Sequence, residues 1–305
     1  MANGTKNSSH TTERHGVGEL IAVFCSGMKF GIAIFPTDYS ISMQELAPAV
    51  EERGFDSLWV AEHSHIPTSR ATPYPSGGEL PKQYADTFDP FIALTVAATA
   101  TSTLRVGTGI CLVIQRDPID TAKSVATLDR VSGGRVLFGV GGGWNREEIE
   151  DHGTPFAARW KVLRERVEAM RALWTQEAAE YHGEHVSFDP AWAWPKPVQK
   201  PHPPVLLGGN GPNTIRRVVR YCDGWMPNRG DYLARIPELR RLAEDAGRGP
   251  LPVSAYPRTT DAAVIEEHRA AGVERCIFYV PSGGRDAALT RLEELTTALR
   301  VHQQA

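Results

Sequence analysis

At 305 residues, with 41% hydrophobic and 8% aromatic residues, the chain is long enough to bury one large core or two smaller ones. Its 33 Lys and Arg against 36 Asp and Glu leave a formal net charge of -3, which gives no positive field for nucleic acid as a partner. The four cysteines, Cys25, Cys111, Cys222 and Cys276, show no CxxC spacing; that argues against a zinc site or a disulfide framework and suits a reducing cytoplasm.

Residues 1–27 read as a disordered N-terminal extension, because Met1 to Gly18 is polar and rich in Ser, Thr, Asn and Gly. The apolar run 20–25 is too short for a signal-peptide core, and no A-x-A cleavage pattern follows it. Met28 opens a clean strand, KFGIAIF, as a native start there would, and residues 28–305 read as one domain. No later apolar run approaches the roughly 18 to 20 residues of a membrane span.

From Met28 onward, short apolar runs alternate with longer amphipathic ones, the pattern of repeated βα units. The strands are expected at 29–35, 57–60, 105–110, 135–140, 204–207, 224–227, 252–255 and 275–280. Helices are expected at 43–53, 89–99, 118–131, 157–174, 213–221, 232–246, 261–271 and 285–302. Eight alternations predict an α/β fold of the (β/α)8 TIM-barrel type rather than a doubly wound sheet. Two aperiodic, proline-rich stretches interrupt them, 62–87 after the second strand and 177–203, with Trp192 and Trp194, before the fifth. Both read as ordered insertions that fold over the mouth.

The loops after barrel strands gather at the C-terminal face, where functional side chains collect. Glu62 and His63 end the second strand. A histidine there can take or give a proton, and the adjacent carboxylate can fix a cofactor or the loop. Simple hydrogen bonding of His63 within the insertion is the other reading, and His65 lies two residues on. The segment RVLFGVGGGWN, 135–145, is a strand apolar on both faces that stops at Gly141, Gly142 and Gly143. Without Cβ atoms the chain there lets a flat ring or a phosphate approach, or simply turns tightly into a helix. Gly208, Gly209, Asn210 and Gly211, followed by a helix with Arg216 and Arg217, read either as a structural turn or as a cradle for a single phosphate at a helix start. The spacing is neither GxGxxG nor the P-loop pattern, and no HxH or HExxH spacing supports a metal.

Five motifs, GFDSLWVAEH (54–63), GTGICL (107–112), RVLFGVGGGWNREE (135–148), PKPVQKPHPPVLLGGNGPNTIRR (195–217) and CDGWMP (222–227), resemble in order and spacing the luciferase-like monooxygenase superfamily. The GGGWN stretch and PSGGELPKQYADTFDPF (75–91) are similar to its branch that uses the deazaflavin coenzyme F420. The resemblance implies a flavin-type cofactor at the C-terminal mouth, F420 or alternatively FMN, and a homodimer. It implies that Glu62 and His63 flank the cofactor, that a non-proline cis peptide joins Gly109 and Ile110, and that Gly142, Gly143, Trp144, Gly208, Gly209, Asn210 and Gly211 contact the cofactor. Trp144 stands where the sugar-phosphate dehydrogenases of that branch carry a carboxylate, and Pro67 where they keep a tryptophan. An indole there removes an acid and widens an apolar floor. The expected activity is therefore hydride transfer between F420 and a small, fairly apolar organic substrate. An FMN-dependent monooxygenase and a non-catalytic flavin-binding barrel are the alternatives.

Overall fold

The computed structural model describes Met1 and residues 27–303, so the expected N-terminal extension, with Cys25, lies outside the described residues. Eight parallel strands form the sheet: β1 (Lys29–Ile34), β2 (Ser57–Val60), β3 (Arg105–Thr108), β4 (Val136–Val140), β7 (Val205–Gly208), β8 (Gly224–Met226), β9 (Ser254–Ala255) and β10 (Arg275–Tyr279). Their order is β8-β7-β4-β3-β2-β1-β10-β9. A parallel bridge between Trp225 and Val253 brings the two end strands together and closes the barrel. Around it run α1 (Met43–Glu52), α3 (Pro90–Thr99), α4 (Pro118–Val131), α6 (Arg159–Thr175), α7 (Thr214–Tyr221), α8 (Ile236–Asp245), α9 (Ala262–Ala271) and α10 (Arg285–Gln303). Two of them start on an Asp-Pro pair: Asp89 accepts from the N–H groups of Phe91 and Ile92, and Asp117 from those of Ile119 and Asp120. The carboxylate caps the helix, and the proline needs no partner for a missing N–H. Among the described residues no helix is long and apolar enough to cross a membrane.

Four further elements fall in stretches expected to be loops. A short α2 (Gln83–Asp86) lies in the first insertion and α5 (Arg146–Asp151) directly after Trp144. The antiparallel pair β5 (Ala179–His182) and β6 (Ser187–Ala191) lies in the second. The second insertion does not fold over the mouth. Gln199 bonds the carbonyl of Val136 at the start of β4, Arg130 bonds the carbonyl of Lys196, and Lys196 bonds the carbonyls of Leu173 and Gln176 near the end of α6. These anchors sit at the N-terminal end of the barrel, because a segment that precedes a strand must enter at that end.

Alternate strand residues face opposite sides. Ile32, Leu58, Phe138, Leu207 and Phe278 pack outward against the helices, while Ala33, Trp59, Leu137, Leu206 and Ile277 form a separate inner cluster with Met226 and Tyr256. Trp59 is the largest member, and its indole N–H donates to Ser57 Oγ at 2.9 Å. Room for it comes from glycine: a Cβ at Gly107 would lie 2.5 Å from the Trp59 ring, and one at Gly31 2.9 Å from its Nε1. Below it the buried Arg275 reaches Asp56 at 2.6 Å and Ser254 Oγ at 3.0 Å and plugs the floor.

Gly107→Ala forces a methyl into the face of a fully enclosed ring and should cost roughly 1–3 kcal/mol. Combined with Trp59→Phe, which opens that space, the loss should be smaller than the sum of the two single losses. Urea denaturation of the four proteins measures this coupling, and strict additivity would contradict it.

Candidate active site

The loops after β2, β3, β4 and β7 converge at the C-terminal mouth. His63 leaves the end of β2, and its Nδ1 lies 2.8 Å from Oε2 of Glu148 in α5, with the two side chains 7% and 1% exposed. The other Glu148 oxygen accepts from the Ser64 N–H at 3.2 Å. An ionised carboxylate has only acceptors, so Nδ1 carries the hydrogen and Nε2 is the free nitrogen. Nε2 has no hydrogen-bond partner among the described residues. Sequence reading missed Glu148, although the acidic pair after GGGWN was the available signal.

Glu62 has a different place. Its Oε2 accepts from the Leu112 N–H and its Oε1 from Arg116 Nε, both at 2.5 Å, and Arg116 also reaches Asp89. Both oxygens are engaged, so of the two uses open to this carboxylate the geometry gives it the loop 109–116. The field of Glu62 and the hydrogen bond to Asp89 raise the Arg116 pKa despite the opposing effect of burial. His65 faces outward, bonded to Asp151 at 3.0 Å and to Ser64, and is not grouped with His63.

Trp144 meets His63 edge-on at 5.8 Å between ring centres. Tyr84, at 5.2 Å from His63, and Tyr74, at 6.0 Å from Trp144, complete an aromatic box, and the two phenols share a hydrogen bond of 3.2 Å. Burial first, and then that hydrogen bond, push the Tyr84 pKa above its ordinary value. The rings continue through Phe35, 4.7 Å from Tyr84, to Tyr279 and Tyr256, so aromatic faces line the mouth from β9 round to β4. A cavity of about 680 Å³ inside the first insertion shares Tyr74 with this box and is lined by Arg70, which lies 6.0 Å from the centre of the Trp144 ring.

At the end of β3 the peptide between Gly109 and Ile110 is cis. A Cβ at Gly109 would meet the Tyr256 hydroxyl at 2.4 Å, and among the described residues the hydroxyl itself has only the Met226 sulfur, at 3.7 Å, as partner. Ile110 fills the space left by two other glycines: a Cβ would come within 2.6 Å of its side chain at Gly141 and within 2.8 Å at Gly208. Gly142 is closed by Trp160 at 2.9 Å, and Gly143, at φ +62°, by Ile149 at 3.0 Å. The glycine run is therefore packed by the protein's own side chains. Asn145, two residues past the run, is 2% exposed, and neither polar atom of its side chain has a partner among the described residues.

The turn after β7 is more open. Among the described residues Gly209, at φ +102°, has nothing within 4 Å of a Cβ position, and Gly211 only Thr214 Oγ1 at 3.6 Å. Its carbonyls point to donors: Gly209 O to Trp225 Nε1 at 2.7 Å, Gly211 O to Arg235 at 3.0 Å. The Asn210 side chain is clipped between Arg235 and the Arg229 carbonyl. Among the described residues the N–H groups of Asn210 and Gly211 have no acceptor, which leaves two donors at the start of α7 for an anion.

The luciferase-like monooxygenase family model matches residues 28–302. An uncharacterized protein of Mycobacterium tuberculosis is 41% identical over 281 residues, which cover 89% of this chain and 99% of the relative. A monooxygenase from Streptomyces bottropensis superposes with a TM-score of 0.75 at 22% identity, covering 90% of this chain and 99% of its own. The coenzyme F420-dependent tetrahydromethanopterin reductase of Methanopyrus kandleri superposes with a TM-score of 0.71 at 20% identity, covering 91% and 99%. These structural likenesses concern the fold.

Asn145→Leu removes two unpaired buried polar groups at nearly constant volume and should stabilise the protein by about 1 kcal/mol or more. A lower thermal midpoint would show that Asn145 has a structural partner. Glu148→Ala should cost about 1–3 kcal/mol and free the His63 ring to exchange tautomers, which ¹⁵N spectra of the labelled imidazole detect as a mixed Nδ1 signal.

Proposed function

The chain belongs to the luciferase-like monooxygenase family, and we propose that it is an oxidoreductase transferring a hydride between coenzyme F420 and a small, fairly apolar organic substrate. The observation that carries this reading is a histidine fixed through Nδ1 by a buried carboxylate, with its other nitrogen unbonded, inside an aromatic box at the barrel mouth. The residues present fit a flavin-type group. Among the described residues Asn145 offers an unpaired buried amide, Tyr256 a buried phenol with only a sulfur partner, and the Gly209–Gly211 turn two free N–H donors beside an open surface.

When bound, the deazaflavin supplies the carbon centre that accepts or releases hydride. The rest falls to the chain. His63 Nε2 takes or gives the proton that accompanies the change at the substrate, and Glu148 holds the ring in the tautomer that leaves Nε2 free and stabilises its charged form. Trp144, Tyr74 and Tyr84 exclude water and offer apolar faces. The N–H groups of Asn210 and Gly211 receive a phosphate. Glu62 acts at one remove, by holding the loop that carries Ile110.

We also place a second copy of the chain against the outer face of α3, where Ile92 is 69% exposed, with Phe88 just before that helix and Ile119 at the start of α4 exposed as well. Ile92→Glu should then lower the mass found by sedimentation to that of one chain, and an unchanged mass would remove this face from the interface.

Titration of the purified protein with F420 and with FMN tests the cofactor: tight FMN binding without measurable F420 affinity would replace the first reading with an FMN-dependent monooxygenase. With F420 bound, a screen of enones and alcohols followed at the deazaflavin absorbance should find turnover. His63→Ala should lower that turnover by roughly 10²–10⁴ while leaving F420 binding nearly intact. Turnover untouched by the substitution would remove the proton-transfer role.

A further inference from the structure

We propose that Arg146, Arg159 and Arg217 form an anion site at the rim of the mouth, and that it receives the negatively charged tail of the cofactor; the second part rests on the F420 reading above. Two aromatic rings hold the three guanidinium groups together. Arg146 and Arg159 lie 4.8 and 3.7 Å from the centre of Phe156, and Arg159 and Arg217 lie 5.6 and 4.1 Å from that of Trp160. No carboxylate lies within ion-pair distance of any of the three among the described residues. Neighbouring arginines are matched: Arg164 with Glu165, Arg235 with Glu238, Arg116 with Glu62 and Asp89.

Donors are in surplus as well. Arg159 Nε is buried without a partner, its Nη1 reaches only the Phe156 carbonyl, and the Arg146 and Arg217 guanidinium groups donate no hydrogen bond among the described residues. The nearest acidic groups are otherwise engaged, Glu150 with the Phe156 N–H and Glu147 with the Thr72 N–H. Burial lowers the Arg159 pKa, and the charges of Arg217 and Arg146 lower it further. Like charges gathered without a counterion oppose folding, whereas a bound oxyanion removes the repulsion and finds planar donors of the right shape.

The position joins this cluster to the cofactor side of the mouth. The Trp160 ring closes against Gly142, and Arg217 stands in the first turn of α7, just after the Gly209–Gly211 turn. The strands that carry these two loops pair directly, Val140 with Leu207. Two free backbone donors suffice for one phosphate; three further unpaired cations call for a ligand with several negative charges. A single phosphate and a tail of linked carboxylates share this oxyanion chemistry, and the ligands below separate them.

The test uses the full chain, the double variant Arg159→Gln/Arg217→Gln, and a charge-matched control, Arg220→Gln/Arg241→Gln, at exposed positions of α7 and α8. The probes are F420, the deazaflavin chromophore without its tail, FMN and inorganic pyrophosphate. The site variant should bind F420 about tenfold or more weakly, bind the bare chromophore as before, and lose the rise in thermal midpoint that pyrophosphate gives the unaltered protein. The control should behave as the unaltered protein. FMN, with one phosphate, should lose much less than F420. F420 affinity equal in the site variant and the unaltered protein would overturn the proposal. Failure of the unaltered protein to bind F420, with pyrophosphate still lost in the site variant, would keep the anion site and overturn its assignment to the cofactor; pyrophosphate without effect on the unaltered protein would remove the site. Should the double variant not fold, Arg146→Gln, on an exposed side chain, reads the same loss at smaller size.

Discussion

A carboxylate withdrawn from water must be met by donors, and at Glu148 that requirement organises the mouth. One oxygen takes His63 Nδ1 and the other the Ser64 N–H, so the start of the first insertion is tied to α5, two strands away in the sheet. Without both bonds the group would keep a desolvation cost of a few kcal/mol. The consequence is chemical as well as mechanical: the same bond that satisfies the acid decides which nitrogen of His63 is free. Glu62 obeys the same rule between β2 and the loop after β3. Adjacent residues in the chain thus serve opposite purposes, because one side chain meets its partners within the wall and the other faces the space above it.

Beneath them the barrel supplies a rigid seat. Trp59 fills the interior only because Gly31 and Gly107 give up their side chains to it, and Arg275 closes the floor on Asp56. On the next level Tyr256 rises against Gly109, at the cis peptide, and Ile110 spreads over Gly141 and Gly208. Ile110 is therefore shared by three strands' ends, β3, β4 and β7, and fixes their spacing where a ligand would rest. Small residues in the wall and one large residue between them give a surface that cannot collapse.

The eight strands and their helices were legible because short apolar runs and longer amphipathic ones persist in the sequence whatever they pack against. The elements that escaped are short and depend on tertiary partners. α5 has six residues, and its place is set by Glu148 and Ile149, not by its own propensity. Tyr74 and Tyr84 carry no local signal, since their meaning lies in rings contributed from β1, β2 and β4. His63 was legible from its position at a strand end, and its partner was not, since 85 residues separate His63 from Glu148. The second insertion was misplaced for a topological reason: proline and tryptophan content tells that a loop is ordered, whereas its end of the barrel follows only from whether it precedes or follows a strand.

That last point bears on specificity. Residues 196–199 hold the second insertion at the N-terminal end and its hairpin lies along α6, where His185 and Val186 meet Glu165; of the two insertions it is the first that places a ring against His63. Trp144 is held from that side by Tyr74 and Tyr84, and Arg70, at φ +48°, stands over its ring with one buried nitrogen unpaired. The glycine run before Trp144 is closed by Ile110, Trp160 and Ile149 and acts as a fixed hinge from which the indole projects. Variation that keeps the barrel and alters residues 66–87 would therefore reshape the surroundings of His63 while leaving the His63–Glu148 pair in place, since that pair follows directly on β2 and on the turn after β4.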